Sequence, residues 1–425
     1  MNLKRHALPI IVAVISTLVV TLILLNLRAD KKIEVRPTHL YSVADQQFMR
    51  TMSVLLGPPL ADGNQVETLL NGDQIFPSML QAIASAQRTI DFETYIYWSG
   101  EIGKRFAETL AERSRAGVKV NVLVDWVGSQ KMDEDSIKVM TDAGVDFRRY
   151  RPLRWYNVGR INNRTHRKLL IVDGHIGFTG GVGIADVWTG HAQDPQHWRD
   201  THYRLEGPAV AQMQATFMDN WTQVTGAVLH GDPYFPPPLK PGQMYAQVFQ
   251  SSAEGGSESM HLMYLLSIAA ATKTIDLAMA YFVPDEVASE ALVAAMKRGV
   301  RLRLILPGPI IDAEFVQDAS RASWGPLLLA GAQIYEYQPT MYHVKLLVVD
   351  GLWSSVGSTN FDPRSFRLND EANLNVYDAD FARAQIDAFE NDLKHSKRVT
   401  YEEWQARPWH EKLWERFAAL FSAQL

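Results

Sequence analysis

Two short stretches of this 425-residue chain carry the residue types that phosphoryl chemistry needs. In the first, His166, Arg167 and Lys168 run into the apolar residues Leu169, Leu170, Ile171 and Val172, then Asp173, six further residues, and Gly180 and Gly181. The second repeats the pattern: His343, Val344 and Lys345, four apolar residues, Asp350, six residues, then Gly357, Ser358, Thr359 and Asn360. Side chains two apart on extended backbone share a face, so each His and Lys can point together into a site while the apolar residues bury the strand. An imidazole supplies a nucleophile or a proton carrier, and an ammonium supplies positive charge for phosphoryl oxygens. Asp173 lies seven residues from His166, an odd separation that turns it to the other face and reads as structural; Asp350 stands in the same place. The glycines allow close backbone approach, and Ser358 and Asn360 offer neutral donors. One His–Lys pair is half a site. Two, meeting across a pseudo-twofold axis, supply a nucleophile, a general acid and two cations around one phosphodiester.

The elements that must position these residues also repeat. Thr89-Ile90-Asp91-Phe92 follows a helix-like stretch and echoes Thr274-Ile275-Asp276-Leu277. Arg115-Ala116-Gly117-Val118-Lys119-Val120 echoes Lys297-Arg298-Gly299-Val300-Arg301-Leu302, in each case a helix ended by Gly before a buried strand. Alternating strands and helices predict α/β units with a largely parallel or mixed sheet. Between the repeats, Gly231 to Gly242 is too rich in Pro and Gly for a helix or a central strand. The expected division is a membrane anchor over 7–27, a first half over 60–228, a linker over 229–245, a second half over 246–400 and an amphipathic C-terminal helix over 401–425.

Composition narrows the chemistry. With 47% hydrophobic and 21% charged residues the chain can build a core. Its net charge of -5 lacks the global basic footprint of a dedicated nucleic-acid binder. Zero cysteines exclude disulfides, thiolate metal sites and a cysteine nucleophile. His175, His191, His197 and His202 lack a metal-ligand spacing on one helix and read as surface or packing residues. Ala7 to Leu27 holds no charged residue and is long enough for a hydrocarbon core of roughly 30 Å, which predicts an uncleaved single-pass anchor. Basic residues flank it on both sides, so charge does not fix its orientation.

The paired His-x-Lys and Asp stretches resemble the duplicated motifs of the phospholipase D superfamily, and the chain looks like the bacterial cardiolipin synthases within it. Trp198-Arg199-Asp200 and Asn369-Asp370-Glu371 add to the likeness, which runs from about Leu69 to Tyr377. The resemblance implies two α/β/α sandwich halves related by pseudo-twofold symmetry, behind one N-terminal transmembrane helix. It implies a metal-independent exchange through a phosphohistidine, with no cofactor. His166 is then the nucleophile and His343 the acid and later the base, an assignment open to exchange. Lys168 and Lys345 stabilise phosphoryl charge, and Asp200 and Glu371 each orient a motif histidine. Asp173 and Asp350 complete the catalytic motifs, and Asn360, Ser358, Gly181 and Arg164 are the candidate substrate contacts. The chain departs from the pattern at Gly183, which stands where the second half has Asn360.

The first half carries about ten extra residues before its motif, counting fourteen positions from Pro152 to His166 against four from Pro339 to His343. From Arg148 to Lys168 there are eight basic residues and no acidic one, with Tyr150, Trp155 and Tyr156 interleaved. Such a stretch suits nucleic acid or an anionic lipid surface, and the anchor favours lipid. Trp409, Leu413, Trp414, Phe417, Leu420 and Phe421 form one helical stripe, fit for a membrane interface or for packing on the protein. The leading expectation is a phosphatidyltransferase of the bacterial inner membrane, using anionic phosphatidylglycerol-like lipids. Hydrolysis to phosphatidic acid is the alternative, and nuclease activity a more distant one. Oligomeric state is left open.

Overall fold

The computed structural model describes residues 3–26, 33–153, 162–252 and 258–422. The first repeat supplies strands β1 (Ala61–Leu70), β2 (Thr89–Thr94), β3 (Lys119–Asp125), β4 (Asp146–Tyr150), β5 (Leu169–Val172), β6 (Ile176–Gly180) and β7 (Thr201–Glu206). The second supplies β8 (Met244–Ser251), β9 (Thr274–Met279), β10 (Arg301–Pro307), β11 (Gln333–Tyr337), β12 (Lys345–Val349), β13 (Trp353–Gly357), β14 (Glu371–Tyr377) and β15 (Ser396–Val399). Their order in the sheet is β15-β11-β10-β9-β12-β13-β14-β8-β1-β7-β6-β5-β2-β3-β4. Read outward from the centre, β1-β7-β6-β5-β2-β3-β4 is matched strand for strand by β8-β14-β13-β12-β9-β10-β11. The two halves therefore join edge to edge through antiparallel β1 and β8, and the duplicated α/β units form one sheet of fifteen strands.

Within each half the parallel strands β2-β3-β4 and β9-β10-β11 are linked by helices such as Glu101–Arg115 and Glu286–Lys297. The hydrophobic residues of β3 and β10 are buried along nearly their whole length, as strands covered on both faces require. Each half has its own core on one face. On the other, helix Ala209–Thr225 and helix Ala379–Leu393 share a cluster that takes Tyr203, Trp221 and Val210 from the first half and Val248, Tyr342 and Phe389 from the second. That shared core fixes the halves against each other.

No helix or strand lies between Thr225 and Met244. The Pro-rich segment instead straps the first half, with Thr89 Oγ1 donating to Pro233 O at 2.8 Å and Gly242 N to Gly63 O at 3.3 Å. The anchor expected over Ala7–Leu27 falls on helix Leu3–Asn26, whose side chains are described only over 9–21 and are all exposed. Among the described residues no helix is long and apolar enough to cross a membrane.

Candidate active site

Both His-x-Lys pairs lie on extended backbone leading into a hairpin. Arg167, between His166 and Lys168, turns to the opposite face and is wholly buried, its guanidinium donating to Thr216 O at 2.9 Å and paired with Asp219 at 3.0 Å. The alternation leaves His166 and Lys168 on the site face. Lys168 Nζ donates to His166 O at 2.8 Å, and Lys345 Nζ to His343 O at 2.7 Å. Each ammonium is thus folded back under its own histidine.

The halves exchange backbone at this point. Thr165 bridges Asp370 and Arg199 bridges Tyr342, both in parallel register. His166 N donates to Asp370 O at 2.8 Å, and His343 N to Arg199 O at 2.8 Å. The residue after each bridging carboxyl-side position then reaches the opposite motif. His166 Nδ1 lies 3.0 Å from both carboxylate oxygens of Glu371, and His343 Nδ1 lies 2.7 Å from Asp200 Oδ2. Each imidazole is therefore held by a carboxylate from the other half, and neither half holds a complete site.

The carboxylates are fixed in turn. Asp200 accepts from Thr201 N at 2.8 Å and Trp188 Nε1 at 3.0 Å, and Glu371 accepts from the Ser358 hydroxyl and from Asn369 Nδ2 at 3.3 Å. A carboxylate on Nδ1 leaves Nε2 as the reactive nitrogen of each ring. Tyr95 packs edge-on against His166 with ring centroids 5.3 Å apart. Trp188 and Trp198 flank His343 at 5.4 and 5.5 Å. These rings restrict how far either imidazole can rotate.

Burial dominates the charges. It pushes His166 down to about 4, helped by the Lys168 and Lys345 ammonium groups and opposed by Glu371. Burial and Lys345 also lower His343, against the pull of Asp200. Lys168 falls to about 7 and Lys345 to about 8, both chiefly through burial. For Asp200 burial acts upward, but His343 and Lys345 hold the carboxyl below its ordinary value. Glu371 is kept low in the same way by His166 and Lys168. At neutral pH this describes two neutral imidazoles, two carboxylates and two ammonium groups near their titration. An anionic phosphodiester between them adds one negative charge, which favours retention of one further proton.

Several expected site residues lie elsewhere or act differently. Asp173 and Asp350 bond to backbone away from the paired histidines. Each sits in a hairpin turn at φ 53°, at the far end of its strand. Asp173 accepts from the backbone N–H groups of Gln87, Arg88 and Thr89 at 2.7 to 2.9 Å, and Asp350 from those of Thr272, Lys273 and Thr274 at 2.7 to 2.9 Å. They clamp the hairpin to the start of the neighbouring strand, which corrects their inclusion with the catalytic residues. Arg164 is buried against Asp125 at 3.5 Å and donates to Arg151 O at 2.9 Å, while its Nη1 has no hydrogen-bond partner among the described residues. Ser358 serves Glu371. Gly181 makes room, because a Cβ there would lie 2.2 Å from Asp200 Oδ1. Asn360 is buried, and its Oδ1, an acceptor, has no hydrogen-bond partner among the described residues. The place matching it in the first half is filled, since a Cβ on Gly183 would meet Ile96 at 2.8 Å and the Trp188 ring at 3.2 Å.

His202 is a packing residue, buried against Gly180. Among the described residues no cluster of His, Asp and Glu is arranged to hold a metal ion. Of the basic aromatic stretch from Arg148 to Lys168, residues 154–161, with Trp155 and Tyr156, lie outside the described residues. Sequence reasoning missed Tyr95, Trp188, Tyr281 and Asp312. Tyr281 donates its hydroxyl to Asp312 at 2.7 Å, and the Asp312 charge acts on both His343 and Lys345. Tyr95, Tyr281 and Asp312 follow the carboxyl ends of β2, β9 and β10, where ligands gather in α/β sheets, and that position was the available signal.

Comparison with known proteins agrees with this geometry. The family model described as cardiolipin synthase, PLD-like domain, matches residues 79–194 and 264–393, one segment in each half. The cardiolipin synthase of Geobacillus kaustophilus is 36% identical over 370 residues, covering 86% of this chain and 74% of its own length. A probable cardiolipin synthase of Bacillus subtilis is 36% identical over 367 residues, covering 85% and 72%. The crystal structure of phosphatidylserine synthase from Haemophilus influenzae matches 85% of this chain and 95% of its own, with a TM-score of 0.64 at 15% identity, which is a likeness of fold. With both halves matched and identity sustained over most of its length, the chain belongs to the cardiolipin synthase, phospholipase D-like family.

Proposed function

We propose that the protein is a membrane-anchored phosphatidyltransferase that joins two phosphatidylglycerol-type lipids and releases glycerol. The observation that carries the reading is the crossed pairing, His166 with Glu371 and His343 with Asp200. It makes one reaction centre from two half-sites, each with a fixed imidazole and an adjacent ammonium.

In the first step His166 Nε2 attacks phosphorus, and the bond from phosphorus to the glycerol oxygen breaks. The His343 proton moves to that oxygen, glycerol leaves, and a phosphatidyl group remains on His166. In the second step a hydroxyl of the acceptor headgroup gives its proton to His343 and its oxygen bonds to phosphorus. His166 leaves as the free base. Lys168, Lys345 and the Asn360 amide bind the phosphoryl oxygens while charge builds on them, and the fixed carboxylates stabilise each imidazolium as it forms. Depressed basicity suits His166 to attack, because it is unprotonated at neutral pH.

The apolar helix Leu3–Asn26 is proposed as the anchor. Its described side chains, among them Ile10, Val14, Leu18 and Val19, are about half exposed and pack on no core cluster. The whole helix, at 24 residues, would be about 36 Å long. The test is turnover of phosphatidylglycerol vesicles by the purified full chain, with products resolved by mass spectrometry. Cardiolipin with glycerol supports the reading; phosphatidic acid alone transfers the centre to hydrolysis; and His166→Ala must abolish either product.

A further inference from the structure

Helix Trp409–Ala419 is fastened to the body along one edge only. Ala418 is buried in a small cluster with Val283 and Ala319. Glu415 turns inward to pair with Arg407, and Trp414 Nε1 donates to Asp318 at 2.9 Å. Phe315 packs against Trp414 at 6.3 Å and Phe421 at 5.9 Å. The other face stays open: Trp409 is 75% exposed, Leu413 61% and Leu420 78%. A contiguous aromatic and aliphatic face of this kind on a folded surface marks an interaction site.

Its surroundings indicate the occupant. Phe315 lies three residues beyond Asp312, and Val283 two beyond Tyr281, the pair bonded beside Lys345. The helix thus reaches the rim of the candidate active site. The N-terminal chain arrives at the same rim. Ile33 N donates to Glu258, and Arg367 pairs with both Glu258 and Asp285, two residues past Val283. Arg416 is exposed beside the open face, Lys412 lies one turn back with its ammonium donating to Gln405 O, and of the acidic residues Glu415 is turned inward while Glu411 is exposed in the first turn. Trp with flanking cations is the composition of a helix seated at an anionic headgroup boundary. A second copy of the chain is a poorer occupant, since a three-turn helix face falls short of the roughly 800 Å² per partner of a stable interface.

We infer that this helix lays its open face into the headgroup region of an anionic bilayer and holds the active-site rim against the lipid surface. The inference rests on the lipid-substrate reading above and adds a docking element to it. A substrate lipid then needs to rise only part of the way out of the bilayer to bring its phosphorus to the paired histidines.

The absence of native cysteine makes Leu413→Cys a unique labelling site. The full chain carrying an environment-sensitive fluorophore there is mixed with phosphatidylglycerol–phosphatidylcholine vesicles, beside Glu108→Cys on the exposed face of helix Glu101–Arg115. The expected result is a blue shift, with quenching by spin-labelled lipid, at 413 and not at 108. An aqueous spectrum at 413, or a blue shift that follows protein concentration without lipid, overturns the inference, the second outcome pointing to self-association. Turnover separates it from the underlying reading. Leu413→Glu with Leu420→Glu is expected to lower vesicle turnover by about tenfold or more while leaving turnover of monomeric short-chain phosphatidylglycerol within about twofold. Equal vesicle turnover refutes the docking role, whereas a wild-type chain inert on both substrates refutes the transferase reading.

Discussion

Replacing Asp200 by Asn isolates the contribution of the crossed carboxylate, because everything around that side chain donates. Oδ2 receives Trp188 Nε1 at 3.0 Å and His343 Nδ1 at 2.7 Å, and Oδ1 receives Thr201 N at 2.8 Å. An amide has one acceptor oxygen. If it faces His343, its NH2 opposes the Thr201 N–H; if it faces Thr201, its NH2 opposes Trp188 and forces His343 Nδ1 to accept. The second arrangement puts the proton on Nε2 and removes the base needed for the acceptor hydroxyl. Nor can the side chain slide away, since it lies directly against Gly181. One opposed buried donor costs about 1–3 kcal/mol of stability, and loss of a correctly held proton carrier costs about 10²–10⁴ in rate. We therefore expect kcat to fall by about 10²–10⁴ with KM within a few-fold, measured as cardiolipin formed from phosphatidylglycerol. Asp200 also supports the charge on Lys345 and His343, so the alkaline limb of the rate profile should move to lower pH. A loss smaller than about tenfold with that limb unmoved would mean that Asp200 does not hold His343 for proton transfer.

The pH dependence of kcat/KM in the parent protein should rise through about 4 as His166 loses its proton, begin to fall as His343, the acid for the leaving glycerol, loses a proton that burial and Lys345 weaken, and fall further through about 7 to 8 as Lys168 and Lys345 lose theirs; a profile flat to pH about 10 contradicts the assigned roles of His343 and the lysines. Asp173→Ala should lower the melting temperature, through three backbone N–H groups left without their acceptor at about 1 kcal/mol each, while the folded fraction keeps its specific activity in a titrated assay. Burial raises Asp91 from 3.8 to about 7. The folded state thus holds that proton more tightly, and the stability so gained is lost as pH rises from about 4 through about 7. Thermal melts should show the parent losing ground to Asp91→Asn between about pH 5 and pH 8, and parallel curves would contradict the assignment.

Sequence carried the repeat and the two His-x-Lys pairs because both are local patterns, fixed by alternation along an extended chain. The odd separation of Asp173 from His166 likewise identified a structural carboxylate, and the turn geometry gives its reason. The crossing was not legible. That Asp200 serves His343 and Glu371 serves His166 follows from the antiparallel junction of β1 with β8, a contact between residues far apart in sequence that leaves no periodic trace. Ser358 reads as a phosphate donor until Glu371 is seen beside it, since a hydroxyl's partner depends on packing rather than spacing. The edge-to-edge union was hidden in the same way: the Pro-rich segment Gly231–Gly242 marks a break in the chain, yet the sheet continues past it. At Gly183 the sequence recorded a missing donor, and packing accounts for it, with Ile96 and Trp188 occupying the space.

The central claim is that two half-sites make one reaction centre. Rapid quenching of the full chain during turnover of phosphatidylglycerol, followed by intact-mass and peptide analysis, tests it directly. At most one phosphatidyl group per chain is expected, attached at Nε2 of His166, with none on His343. Two groups per chain, one on each histidine, would contradict it.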